Sequence, residues 1–164
     1  DRHGRAVPVI AAGGIYSGAD IRRFLDLGAS GVQMGTRFVA TDECDADIRF
    51  KESFLKASEQ DITIIKSPVG MPGRALQNDF IASAREGLKK PFKCIFHCVH
   101  TCDPQKTPYC IAQALINAMK GNLERGFAFC GANVGRVNRI TSVKELMQSL
   151  ETEYAASATA AKEN

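Results

Sequence analysis

Two glycine turns carry the residues best suited to chemistry. Gly13-Gly14 closes one short apolar run, and Gly35-Thr36, preceded by Gln33 and Met34, closes another. Glycine has no Cβ, so a main-chain N–H there can approach a ligand closely. Two such turns, each leading towards a helix N-terminus, form a field of donors suited to a phosphate dianion. A single glycine pair reads as a tight turn and nothing more. Two turns at the ends of neighbouring strands favour a phosphate site at Gly13-Gly14 and Gly35, with Gln33 and Thr36 beside the second turn.

The elements that must position these turns lie between Val7 and Thr41. Val7, Val9 and Ile10 run into Ala11-Ala12, a short apolar segment bounded by glycine that suits a strand buried on both faces. Ser17 offers an N-cap, with Asp20 at the third helical position as in a capping box. Ile21, Phe24 and Leu25 recur at helical spacing, and Gly28 stands where a helix needs a left-handed C′ residue. A second strand, Gly31 to Met34, follows. The unit reads βαβ, so its strands are expected to be parallel and joined by a right-handed crossover.

The remainder alternates helices with loops. Asp42 to Asp47 is acidic and precedes a helix with Ile48, Phe54 and Leu55 on its apolar side. Ile62 to Ile65 reads as a short strand. Ser67 to Arg74, SPVGMPGR, is dense in Pro and Gly and is expected to form no regular element. It is either a rigid surface connection or a loop over a barrel mouth that brings Arg74 near a ligand. Asn78 caps a helix running to about Leu88, with Lys89-Lys90-Pro91 as its stop. Thr107-Pro108 starts another helix that ends at Gly121. Gly126 to Gly131 is a short apolar piece. Ser142 and Glu145 form a capping box for a last helix that buries Val143, Leu146, Met147 and Leu150.

Cys94, Cys98 and Cys102 recur as C-x3-C-x3-C, with His97 and His100 interleaved and Cys110 nearby. Soft ligands this close together suggest zinc or an iron–sulfur centre. The spacing is not the C-x2-C knuckle, and a helix would align the three on an ordinary packed face. Buried or free thiols are therefore preferred over a metal site, and a redox pair is the third reading. No metal ligand is assigned. His97 and His100 read as surface or packing residues, and Cys44 and Cys130 as packing residues.

The segments AAGGI, GADI and LGASGVQMGTRFVAT resemble the last two βα units of the flavin-dependent nitronate monooxygenases, also called 2-nitropropane dioxygenases. The flavin-type enoyl-acyl-carrier-protein reductases share this segment. Ser67–Phe80 and Thr107–Asn122 are similar to the nitronate monooxygenase branch, so the resemblance covers roughly Val7 to Leu150. It implies an α/β fold: the C-terminal portion of a TIM barrel, namely its last two βα units, with a mostly helical C-terminal extension. It implies residues 1–61 as barrel units, 62–154 as the extension packed on them, and 155–164 as a disordered tail. It implies FMN, with its phosphate at Gly13, Gly14, Gln33, Met34, Gly35 and Thr36, and Arg37 either near that phosphate or paired with an acidic neighbour. The implied reaction is oxidation of alkyl nitronates with O2; reduction of enoyl thioesters with NAD(P)H is the alternative. A metal-binding or structural module built on the cysteines is the alternative of another class. The family's catalytic histidine lies upstream of the matching segment, and no catalytic residue is carried over.

The chain has 164 residues, against about 250 for a whole barrel. With no initiator methionine, it reads as the C-terminal part of a longer protein, and the fragment alone is expected to be inactive. A net charge of +3, from 21 basic and 18 acidic residues, is too small and scattered for nucleic acid. No run of about 20 apolar residues suggests a membrane span. The expectation is a cytoplasmic enzyme acting on a small molecule, for which a homodimer is an open alternative.

Overall fold

The structure, a computed structural model, describes residues 4–88, 92–100 and 102–160, the side chains of 158–160 excepted. The chain forms two compact units: Asp1–Cys44 with Arg139–Asn164, and Asp45–Asn138.

The first unit is built on a βαβ motif. β1 (Ile10–Ala12) and β2 (Gly31–Gln33) pair in parallel, with Ile10 opposite Gly31, Ala11 opposite Val32 and Ala12 opposite Gln33. Between them runs α1 (Gly18–Asp26). Ser17 and Asp20 complete its capping box, and Gly28 has φ +96° just beyond the C-cap Leu27. A short α2 (Thr36–Val39) follows β2. The last helix, α6 (Val143–Ala160), returns to this unit and packs on α1. Its Ser142–Glu145 capping box forms as expected: Glu145 Oε2 accepts from Ser142 N at 3.1 Å, and Ser142 Oγ accepts from Glu145 N at 3.2 Å. Ahead of this helix, Thr141 makes a parallel bridge with Thr41, and Asp42 N donates to Thr141 O at 3.0 Å.

Three expectations for this unit need correction. The first strand begins at Ile10, not Val7, and it is not buried on both faces: Val7, Val9 and Ile10 are 61, 63 and 55% exposed. A two-stranded parallel sheet has no further strands to cover them. The tail expected to be disordered from residue 155 is helical to Ala160, because it prolongs α6; residues 161–164 lie outside the described residues. Met147 is 43% exposed, whereas Leu146 and Leu150 are buried.

The second unit contains α3 (Ile48–Leu55), the antiparallel hairpin β3 (Ile62–Lys66) and β4 (Pro72–Leu76), α4 (Asp79–Arg85) and α5 (Ile111–Met119). Its core gathers Ile65, Ala75, Phe80, Ile81, Tyr109, Ala114 and Phe127. Phe127 is fully buried, and its ring lies 6.1, 5.9 and 5.0 Å from those of Phe80, Tyr109 and Phe129. Residues 128–130 run along β4: Leu76 N donates to Ala128 O and Cys130 N to Arg74 O, both at 3.0 Å. Asn78 caps α4 by accepting from Ile81 N, and its Nδ2 donates to Leu123 O and Gly126 O.

The unit is less helical than expected. Pro72, Gly73 and Arg74, read as loop, belong to β4; the turn is confined to residues 67–71, where Gly70 takes φ +94°. Pro72 occupies the first strand position, which a residue without an N–H tolerates. α4 ends at Arg85, short of Leu88, and the stop signal Lys89-Lys90-Pro91 lies outside the described residues. α5 starts at Ile111 rather than Thr107-Pro108. Asp103 draws that stretch into turns, its carbonyl accepting from Lys106 N and Thr107 N and its side chain from Gln105 N. Tyr109 is committed to the core ahead of the helix. In α3, Phe54 is buried but Ile48 is 53% exposed. The sequence division at residue 61 differs from the spatial one: α3 lies in the second unit, and α6 in the first.

Candidate functional site

The register of the parallel pair decides the geometry of the glycine turns. Ala12 and Gln33 are partners at the last position of each strand, so Gly13-Gly14 and Met34-Gly35-Thr36 leave the sheet at the same end. Gly13 and Gly14 have φ of +86° and +71°, a conformation that other residues adopt at a cost. Gly35 has φ −128° and N-caps α2. A Cβ built on Gly13, Gly14 or Gly35 would meet nothing within 4 Å. Protein packing therefore does not require the missing side chains; open space lies beside all three. Gln33 is exposed, and Met34 and Thr36 are partly buried.

Arg37, in α2, is committed within this unit. Its Nη1 donates to Tyr16 O at 2.9 Å and lies 3.7 Å from Glu153 Oε1, and its guanidinium stacks 4.6 Å from the Tyr16 ring centroid. Of the two roles read from sequence, pairing with an acidic neighbour is the one seen. Glu153 also accepts from Gly18 N at 2.8 Å and from Ser149 Oγ at 2.7 Å. Sequence reasoning missed Glu153, which lies 135 residues from Gly18 and has no local motif to mark it.

Arg74 lies in β4, and its carbonyl accepts from Cys130 N. Cys98 is exposed, and Cys94, Cys102 and Cys110 are partly buried. Burial pushes the Cys102 thiol up, and the nearby sulfurs of Cys94, Cys98 and Cys110 push it in the same direction. Among the described residues no three His, Cys, Asp or Glu side chains converge as metal ligands. Burial also raises the Cys130 thiol to about 11. No helix of the described residues is long and apolar enough to cross a membrane.

The family model for nitronate monooxygenase matches residues 2–153. This chain belongs to the nitronate monooxygenase family. A probable nitronate monooxygenase of Staphylococcus saprophyticus is 39% identical over 80 residues, which cover 49% of this chain and 22% of that protein. A (3aS,4S,5R,7aS)-5-hydroxy-7a-methyl-1-oxo-octahydro-1H-indene-4-carboxyl-CoA dehydrogenase of Rhodococcus jostii is 42% identical over 77 residues, covering 47% of this chain and 22% of that protein. Among solved structures, FabK from Thermotoga maritima superposes with a TM-score of 0.78 and 31% identity, over 98% of this chain and 48% of its own. A nitroalkane oxidase from Streptomyces ansochromogenes gives 0.71 and 25%, over 97% of this chain and 42% of its own. The chain thus spans under half the length of these relatives. As a member of the nitronate monooxygenase family it keeps the family pattern across both units, because the matched residues run through β1 and most of α6.

Proposed function

We propose that this chain carries the phosphate-binding strand ends of an FMN-dependent oxidoreductase that oxidises alkyl nitronates with O2. In this reading β1, α1, β2 and α2 are the last two βα units of a TIM barrel, whose last strands commonly bind phosphate. The observation that carries the proposal is the shared exit of Gly13-Gly14 and Gly35-Thr36 from a parallel pair, with open space where their side chains would be. That space and the positive φ at Gly13 and Gly14 fit a phosphate approached by main-chain N–H groups. Bound FMN would supply the electron chemistry. The protein's part is positional. The turns of Gly13-Gly14 and Gly35-Thr36 would hold the phosphate, Gln33 and Met34 would flank it, and the α1–α6 contact would fix the strand ends. The Tyr16–Arg37–Glu153 arrangement supports the turns from the protein side. The substrate in this reading is a small molecule, and the enzyme works in the cytoplasm.

A second reading, an FMN-dependent enoyl-acyl-carrier-protein reductase using NAD(P)H, is supported by the likeness to FabK. Oxygen consumption with an alkyl nitronate, set against NAD(P)H oxidation with an enoyl thioester, separates the two.

Gly35→Ala in the full-length protein tests the phosphate site most cleanly. Gly35 lies outside the left-handed region, and the added methyl meets no protein atom within 4 Å. Unchanged melting with weakened FMN binding is expected. FMN bound at wild-type affinity by both Gly35→Ala and Gly14→Val proteins, folded by circular dichroism, would place the phosphate elsewhere.

A further inference from the structure

We propose that a pocket within the second unit binds a small carboxylate carried on an apolar chain. None of the phosphate-turn residues lines it. Its volume, about 640 Å³, falls in the range of roughly 300–1,000 Å³ common to small-molecule sites. Three pieces of chain build it: the end of β3, one side of α4 and the turn ahead of α5. Ile81, Ala84 and Arg85 reach it together because residues three and four apart share a helix face. Ile65, Ile81 and Tyr109 form the apolar wall, and all three belong to the buried core. Tyr109 packs edge-on against Phe80, with ring centroids 4.9 Å apart, so the turn ahead of α5 is held to that core.

The pocket's edge is cationic. Lys66 ends β3 and Arg85 ends α4, and both are exposed. Arg85 Nη2 donates to Thr63 Oγ1 and, at 3.0 Å, to Ile64 O, which pins the guanidinium to β3 two residues before Lys66. Both bonds use Nη2, so Nε and Nη1 keep their donors for a ligand. Among the described residues neither Lys66 nor Arg85 pairs with a carboxylate. Asp103 also lines the pocket, and Lys106 spends its charge on it at 3.1 Å. Asp103 repels a phosphate dianion more strongly than a singly charged carboxylate. An apolar wall edged by two uncompensated cations suits an amphipathic anion. Its chain leaves water against Ile65 and Ile81, while its head group stays at the wetter edge and accepts from Lys66 and Arg85.

Calorimetric titration of the full-length protein with octanoate tests the site. Saturable binding is expected, weakened by added salt and weaker still for 1-octanol, which has the chain without the charge. Lys66→Ala should raise the dissociation constant about tenfold, and Lys66→Arg should restore it. Lys66 is exposed, so these two variants are expected to fold, and circular dichroism with thermal melting checks that they do. Ala84→Phe fills the apolar side and should block octanoate while leaving both cations in place. Wild-type protein that bound no octanoate would overturn the proposal, as would equal affinity in folded Lys66→Ala and Ala84→Phe proteins. Octyl phosphate bound more tightly than octanoate would overturn the assignment of a carboxylate head group.

Discussion

Glu153 accepts a hydrogen bond from the main-chain N–H of Gly18 at 2.8 Å, although 135 residues separate them. Gly18 opens α1 and is buried against α6; a Cβ there would overlap the backbone of Leu150 and Tyr154. Backbone cannot swing aside as a side-chain tip can, so Gly18→Ala must push the helices apart. A loss of about 1–3 kcal/mol is expected, read as a lower denaturation midpoint. Glu153→Gln keeps the shape and should cost less. Equal melting of Gly18→Ala and wild type would show that α1 and α6 are not so closely packed.

Phe127 is the hub of the second unit's aromatic cluster, with three rings around it and no exposed surface. Phe127→Ala removes those contacts and leaves a cavity, at about 3–5 kcal/mol. Phe127→Leu retains part of the volume and should be milder. Chemical denaturation followed by tyrosine fluorescence would report both, since Tyr109 borders the cavity.

Asp47 caps α3 through Arg49 N at 2.9 Å and pairs with the Arg49 guanidinium at 2.8 and 3.0 Å. The side-chain bond from Arg49, then the main-chain bond, hold the Asp47 carboxyl at about 2. The folded value lies below the unfolded one of about 3.9, so the contribution is fully present above that value and is lost as pH falls through about 2. The melting temperature should fall across this window, and Asp47→Asn should remove part of the slope. The same slope in both proteins would show that Asp47 is not held low.

Thr36 stands at the start of α2, beside Gly35. If its hydroxyl donates to the phosphate, Thr36→Ala should weaken FMN binding by about 0.5–1.5 kcal/mol, or up to ~3 for a charged partner. Flavin fluorescence titration of the apoprotein measures this. An unchanged dissociation constant would remove Thr36 from the site.

The sequence alone determined the features whose causes are local. Ser17 with Asp20, Asn78, and Ser142 with Glu145 cap helices through bonds that span only a few residues. The glycine-ended apolar runs specified a parallel βαβ pair, because such a short crossover leaves little topological choice. Tertiary structure decided what depends on distant partners. β4 became a strand despite Pro72 and Gly73 because β3 and residues 128–130 pair with it on either side. α5 starts at Ile111, beyond Tyr109, whose ring is packed in the core. Residues 155–160 are helical because α6 continues through them, a cooperative extension that their small, polar composition does not reveal. Arg37 found Glu153, and α6 joined α1, through contacts that no window of sequence contains.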